Sequence, residues 1–147
     1  MRDLPDSVLF SCTHNSVRSA MAEGLLKSLL GHRLYVDSAG VREGEINGFV
    51  IAVMDELGID MSKHRAKTFD QLTDTSFDLI ITLSPEAQHR AVEMTRTMAC
   101  DVEFWPTFDP TLVEGTREIQ LDAFRQVRDD LLKKLKARFP LDLKPVP

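Results

Sequence analysis

The segment Ser7-Val8-Leu9-Phe10-Ser11-Cys12-Thr13-His14-Asn15-Ser16-Val17-Arg18-Ser19 joins two different periodicities. Its first five residues are a short apolar run that stops at polar residues, the pattern of a buried strand. From Ser19 onward Ala20, Met21, Leu25, Leu26, Leu29 and Leu30 recur at helical spacing until Gly31, a natural helix terminator. The segment therefore predicts strand, short loop and helix, with Cys12 where the strand runs out.

The same alternation continues outward from it. Leu34-Tyr35-Val36-Asp37 reads as a second strand closing at Ser38-Ala39-Gly40, and Val50, Val53, Met54 and Leu57 mark a helix that stops at Gly58. Phe77-Asp78-Leu79-Ile80-Ile81-Thr82-Leu83 is a third, fully buried strand, and Pro85 after Ser84 opens the next helix. Val102-Glu103-Phe104-Trp105 gives a short fourth strand before Pro106. Leu121, Phe124, Val127, Leu131, Leu135 and Phe139, with charges between them, predict a long closing helix over residues 116–139. Pro140, Pro145 and Pro147 leave a loose tail over residues 141–147. Strands alternating with helices make an α/β fold: one domain over residues 1–140, a four-stranded parallel sheet with helices on both faces and right-handed crossovers. In such sheets ligands bind at the carboxyl ends of the strands, and Cys12 sits at one of those ends.

The totals narrow the function. A chain of 147 residues with 43% hydrophobic content suits a single buried core. The net charge of −5, with Lys and Arg scattered, suggests neither nucleic acid nor an anionic membrane surface as a partner, so an anionic substrate must be attracted locally. The apolar stretches are far short of the roughly 20 residues of a membrane span. Val8-Leu9-Phe10 is too short for a signal core, which places the expectation in the cytoplasm. Cys12 and Cys100 are the only cysteines and give no disulfide framework or metal spacing; His32, His64 and His89 are spread too widely for a metal site. No metal and no cofactor is expected.

Residues 12–19 have the form cysteine, five residues, arginine, serine. Between a strand and a helix, so short a loop can curl until its backbone N–H groups converge on one point, an anion nest at the helix N-terminus. The expected phosphate-binding set is Thr13, His14, Asn15, Ser16, Val17, Arg18 and Ser19. Arg18 can add a planar bidentate contact to two oxyanion oxygens, which lysine cannot reproduce. The same field favours the thiolate of Cys12, and Ser19 can hydrogen-bond the sulfur. The blander alternative makes Cys12 a small buried hydrophobe and Arg18 a surface residue at a helix start.

These residues, followed by Met21-Ala22-Glu23, resemble the signature of the low-molecular-weight protein tyrosine phosphatases and their arsenate reductase relatives. The resemblance continues through Ser38-Ala39-Gly40, Gly58-Ile59-Asp60, His64-Arg65-Ala66-Lys67, the third strand and Trp105-Pro106-Thr107-Phe108-Asp109-Pro110. It implies Cys12 as nucleophile, Arg18 as phosphate clamp, Asp109 as general acid, and Asn15 as the residue that shapes the loop through positive φ. A hydrolysis through a cysteinyl-phosphate does need such an acid, to protonate the leaving oxygen and then to activate water. Taken alone, Asp109-Pro110 is a turn. His14 is read as part of the loop wall.

The resemblance has gaps. Family members of eukaryotic type flank the cleft with aromatics, whereas residues 41–47 and 111–113 have none here; Phe49 and Phe108 either replace them or belong to the core. A second cysteine often found inside the loop is Val17. Thioredoxin-coupled arsenate reductases of this fold relay a disulfide through two further cysteines, and the first of those positions looks like Ser84. The expectation ranked first is a cysteine-dependent phosphatase acting on a phosphorylated protein or a small phosphomonoester. The alternatives are an arsenate reductase using an external thiol, and a non-catalytic phosphate-binding module.

Overall fold

Alternation along the strands decides which side chains face which layer. In β1 (Ser7–Cys12), Val8, Phe10 and Cys12 point into one apolar cluster and Leu9 into another on the opposite face. In β3 (Leu79–Thr82), Leu79 and Ile81 join the first cluster and Ile80 the second. Both strands are therefore buried on both faces, as a central parallel strand must be. The computed structural model describes residues 4–73 and 76–140; the tail expected over residues 141–147 lies outside them.

The remaining elements are α1 (Arg18–Leu30), β2 (Tyr35–Gly40), α2 (Gly48–Asp55), α3 (Pro85–Met94), β4 (Asp101–Phe104) and α4 (Arg117–Arg138), with single 3₁₀ turns at Phe69–Gln71 and Pro110–Leu112. All strand pairs are parallel and the sheet order is β2-β1-β3-β4. Helices α1, α2 and α4 pack on one face, where Met21, Leu25, Val53, Phe124 and Leu131 fill the larger cluster. The other face is covered by α3 and the first 3₁₀ turn through Ala91, Phe69 and Leu72. This is the expected four-stranded α/β architecture. Because the chain leaves β1 toward β2 and leaves β3 toward β4, the connections diverge above β1 and β3. That divergence opens a crevice at the carboxyl end of β1, where Cys12 lies.

The elements differ from expectation only at their ends. The apolar run of residues 77–83 is longer than β3, because Phe77 is buried in the smaller apolar cluster, stacked on Tyr35 with ring centroids 6.0 Å apart, without ladder pairing. Strand β1 gains Cys12, whose ladder partner is Gly40. No helix among the described residues is long and apolar enough to cross a membrane.

Candidate active site

Among the described residues three of the four α-helices begin with a side-chain cap: Asn47 accepts from Phe49 N, Ser84 from Ala87 N and Thr116 from Ile119 N. Helix α1 does not, since its N-cap is Val17. A cap stabilises a helix by about 1 kcal/mol, so its omission leaves N–H groups available for another acceptor. The backbone N–H groups of residues 14–17 likewise meet no acceptor among the described residues. Consecutive unpaired amides running into a helix start form a site for a tetrahedral anion.

Cys12 occupies the centre of this loop and is only 2% exposed. Its Sγ lies 2.9 Å from Ser19 Oγ and accepts from Ser19 N at 3.4 Å. Ser19 Oγ already accepts from Asn15 Nδ2 at 2.8 Å, so its own proton is free to point at the sulfur. A pocket of about 230 Å³ opens above, lined by Cys12, His14, Ser16, Val17, Arg18, Asn47, Asp109 and Thr111. The fold thus brings the three residues expected to be catalytic, Cys12, Arg18 and Asp109, to one cavity, although residues 18 and 109 lie on different segments. Arg18 Nη1 donates to Thr107 O at 3.1 Å, which ties the loop to the segment carrying Asp109.

The other expected loop residues divide. His14, Ser16 and Val17 line the pocket. Thr13 turns its hydroxyl away to Ser84 Oγ at 3.2 Å, and Asn15 is fully buried beneath the loop. Asn15 has φ 57, the one positive φ at a non-glycine among the described residues. Its Oδ1 accepts from Lys67 N at 3.1 Å and from His64 Nε2 at 3.2 Å, and its Nδ2 donates to Ser19 Oγ and Ser38 Oγ, both at 2.8 Å. Because Lys67 N can only donate, the amide orientation is fixed, and His64 must carry its proton on Nε2. Ser38 Oγ hydrogen-bonds Glu23 Oε1, whose other oxygen pairs with Lys27 Nζ at 2.7 Å. Burial pushes the His64 imidazole below its ordinary value, opposed by the Glu23 carboxylate and reinforced by Lys67.

Glu23, Ser38, His64 and Lys67 received no role in the sequence reading. Their motifs were visible, but nothing local marks them as supports of a loop many residues away. The aromatics are also resolved in place. Phe49 packs on Phe124 with centroids 5.2 Å apart, and Phe108 is exposed beside Val113 and Ile119 in a neighbouring groove; neither lines the cysteine pocket. Among the described residues no cluster of His, Cys, Asp or Glu could hold a metal ion.

A parallel α/β domain with a cysteine at the carboxyl end of its first strand, inside an amide-lined loop, defines a class of oxyanion-binding proteins. The model of the low molecular weight phosphotyrosine protein phosphatases matches residues 7–140, and the chain belongs to that family. An arsenate reductase of Halalkalibacterium halodurans is 37% identical over 131 residues, covering 88% of this chain and 91% of the relative. Among solved structures, an arsenate reductase in the phosphate-binding state aligns with TM-score 0.69 at 27% identity over 90% of this chain and 95% of that one. A tyrosine phosphatase of Erwinia amylovora shares the fold, with TM-score 0.71 at 22% identity over 88% of each chain.

Proposed function

We propose that this chain performs cysteine-based chemistry on a tetrahedral oxyanion, with arsenate as its substrate and an external thiol as reductant. The observation that carries the reading is the loop that runs into the uncapped start of α1, whose residues 14–17 present unpaired backbone amides beside Cys12 and Arg18. Its small, mostly polar pocket suits an inorganic oxyanion, and the arsenate reductases among its relatives support the choice of arsenate.

In this reading the Cys12 thiolate attacks arsenic while Arg18 and the loop amides hold the other oxygens. Asp109 protonates the departing oxygen, which leaves as water. The external thiolate then attacks Cys12 Sγ; the electron pair of the S–As bond stays on arsenic, and arsenite leaves. A second thiol opens the mixed disulfide, regenerating Cys12, so two thiols supply the two electrons. The thiol is external because Cys100 is out of reach. Register places Cys100 about 16 Å back along the strands and about 10 Å across the sheet from Cys12. A disulfide needs Cα atoms within about 7 Å. A reducing compartment such as the cytoplasm supplies such thiols.

A second reading, hydrolysis of phosphomonoesters, is favoured by the position of Asp109 beside Cys12, since hydrolysis needs one group as acid and then base. The lack of an aromatic among the described residues that line the pocket removes stacking of about 0.5–1.5 kcal/mol per contact, which counts against phosphotyrosine within that reading. Parallel assays with p-nitrophenyl phosphate and with arsenate plus glutathione or thioredoxin separate the two. Arsenite formation that disappears in Cys12→Ser is the expected result. Ester turnover without arsenite formation reverses the ranking, and full activity in Cys12→Ser refutes both.

A further inference from the structure

A carboxyl group serves as a proton donor to an oxyanion only when one of its oxygens is turned toward it. In this chain the other oxygen of Asp109 is held twice by one residue. Thr111 donates to Asp109 Oδ1 from its backbone N at 3.0 Å and from its hydroxyl at 2.7 Å. Oδ2 has no hydrogen bond among the described residues, and both residues line the pocket above Cys12. Pro110 fixes φ between them, and Arg18 anchors the segment through Thr107 O. With Oδ1 accepting two donors, a proton on the carboxyl group belongs on Oδ2. The backbone N–H alone could be served by either oxygen; the added hydroxyl selects one.

We infer that Thr111 is a positioning residue: its hydroxyl turns Asp109 so that Oδ2 delivers the proton to the oxygen leaving the oxyanion. The inference rests on the reading of Cys12 as nucleophile and Asp109 as acid, and it applies to arsenate and phosphate alike. With inorganic phosphate the step is reversible. Cys12 Sγ forms the S–P bond, one P–O bond breaks with its electron pair on oxygen, and that oxygen takes the Oδ2 proton and leaves as water. Return of a solvent water places solvent oxygen in phosphate.

The test is exchange of oxygen-18 from labelled water into inorganic phosphate, followed by mass spectrometry on the full chain, with phosphate affinity measured alongside. Thr111→Val, which keeps shape and backbone N–H but loses the hydroxyl, should slow exchange about tenfold with phosphate affinity within about twofold. Thr111→Ser should recover most of the rate. A Thr111→Val rate equal to wild type, or a Ser variant no better than Val, overturns the inference alone. Asp109→Asn exchanging at the wild-type rate removes the acid and the inference with it. A wild-type protein that exchanges no oxygen overturns the inference, and a Cys12→Ser variant that exchanges normally refutes the underlying reading of Cys12 as well.

Discussion

Asn15 holds the loop from below with four hydrogen bonds and a left-handed backbone, a conformation asparagine tolerates better than other side chains. One of those bonds requires His64 Nε2–H, and the buried imidazole is held below its ordinary proton affinity. The sign of the consequence follows. An unfolded imidazole titrates near 6.5, whereas the folded one resists protonation, so the unfolded chain binds more protons just below that pH. The contribution to stability is complete above about pH 6.5 and is lost as pH falls below it toward the lower folded value. Urea unfolding at a series of pH values should show this as a slope of at most about 1.4 kcal/mol per pH unit. His64→Gln should flatten that slope, and parallel curves for the two proteins would contradict the assignment. The sequence marks His64 only as part of the matching segment His64-Arg65-Ala66-Lys67 and does not show these contacts, because its partners Asn15 and Glu23 come from a distant segment.

At the scale of elements, the strand, loop and helix around Cys12 were legible because each has its own periodicity and the loop is short. What the periodicity does not show is how closely β2 approaches that loop. A Cβ on Gly40 would lie 2.6 Å from the carbonyl carbon of His14 and 2.7 Å from Asn15 N, both backbone atoms of the loop that follows Cys12. Gly40 also pairs with Cys12 and donates to Lys67 O at 2.7 Å, so neither side has room to give. Gly40→Ala should cost about 1–3 kcal/mol of stability and weaken phosphate binding, because relief requires the loop amides to move. Thermal unfolding together with phosphate titration checks this; wild-type affinity with a reduced melting temperature would mean that the strain is absorbed away from the loop. The missing cap of α1 belongs to the same scale. The sequence pattern starts the helix at Ser19, and only the structure places Val17 at its N-cap with unpaired amides beside it.

The whole molecule decides which cysteines can meet. Cys100 precedes β4 at the opposite end of the sheet from Cys12, packs with the smaller apolar cluster, and has its thiol pushed up by burial and then by Asp101. Cys100→Ser should therefore leave arsenate or ester turnover within about twofold of wild type, and mild oxidation should give no bond between residues 12 and 100 by peptide mass mapping. Formation of that bond at wild-type stability would require a sheet arranged differently from this one. Taken over the chain, the sequence alone determined the α/β class, the order of strands and helices, and a cysteine-arginine loop at a strand end, because these follow from short-range periodicity and spacing. The phosphatase reading ranked first there; the arsenate reductases among the relatives back the alternative better. Only the tertiary structure decided that Asp109 and Thr111 stand over Cys12, that Glu23, Ser38 and His64 support the loop, and that Cys100 lies out of range. Parallel strands joined by crossovers bring together residues far apart in the chain, and no local pattern records which ones meet.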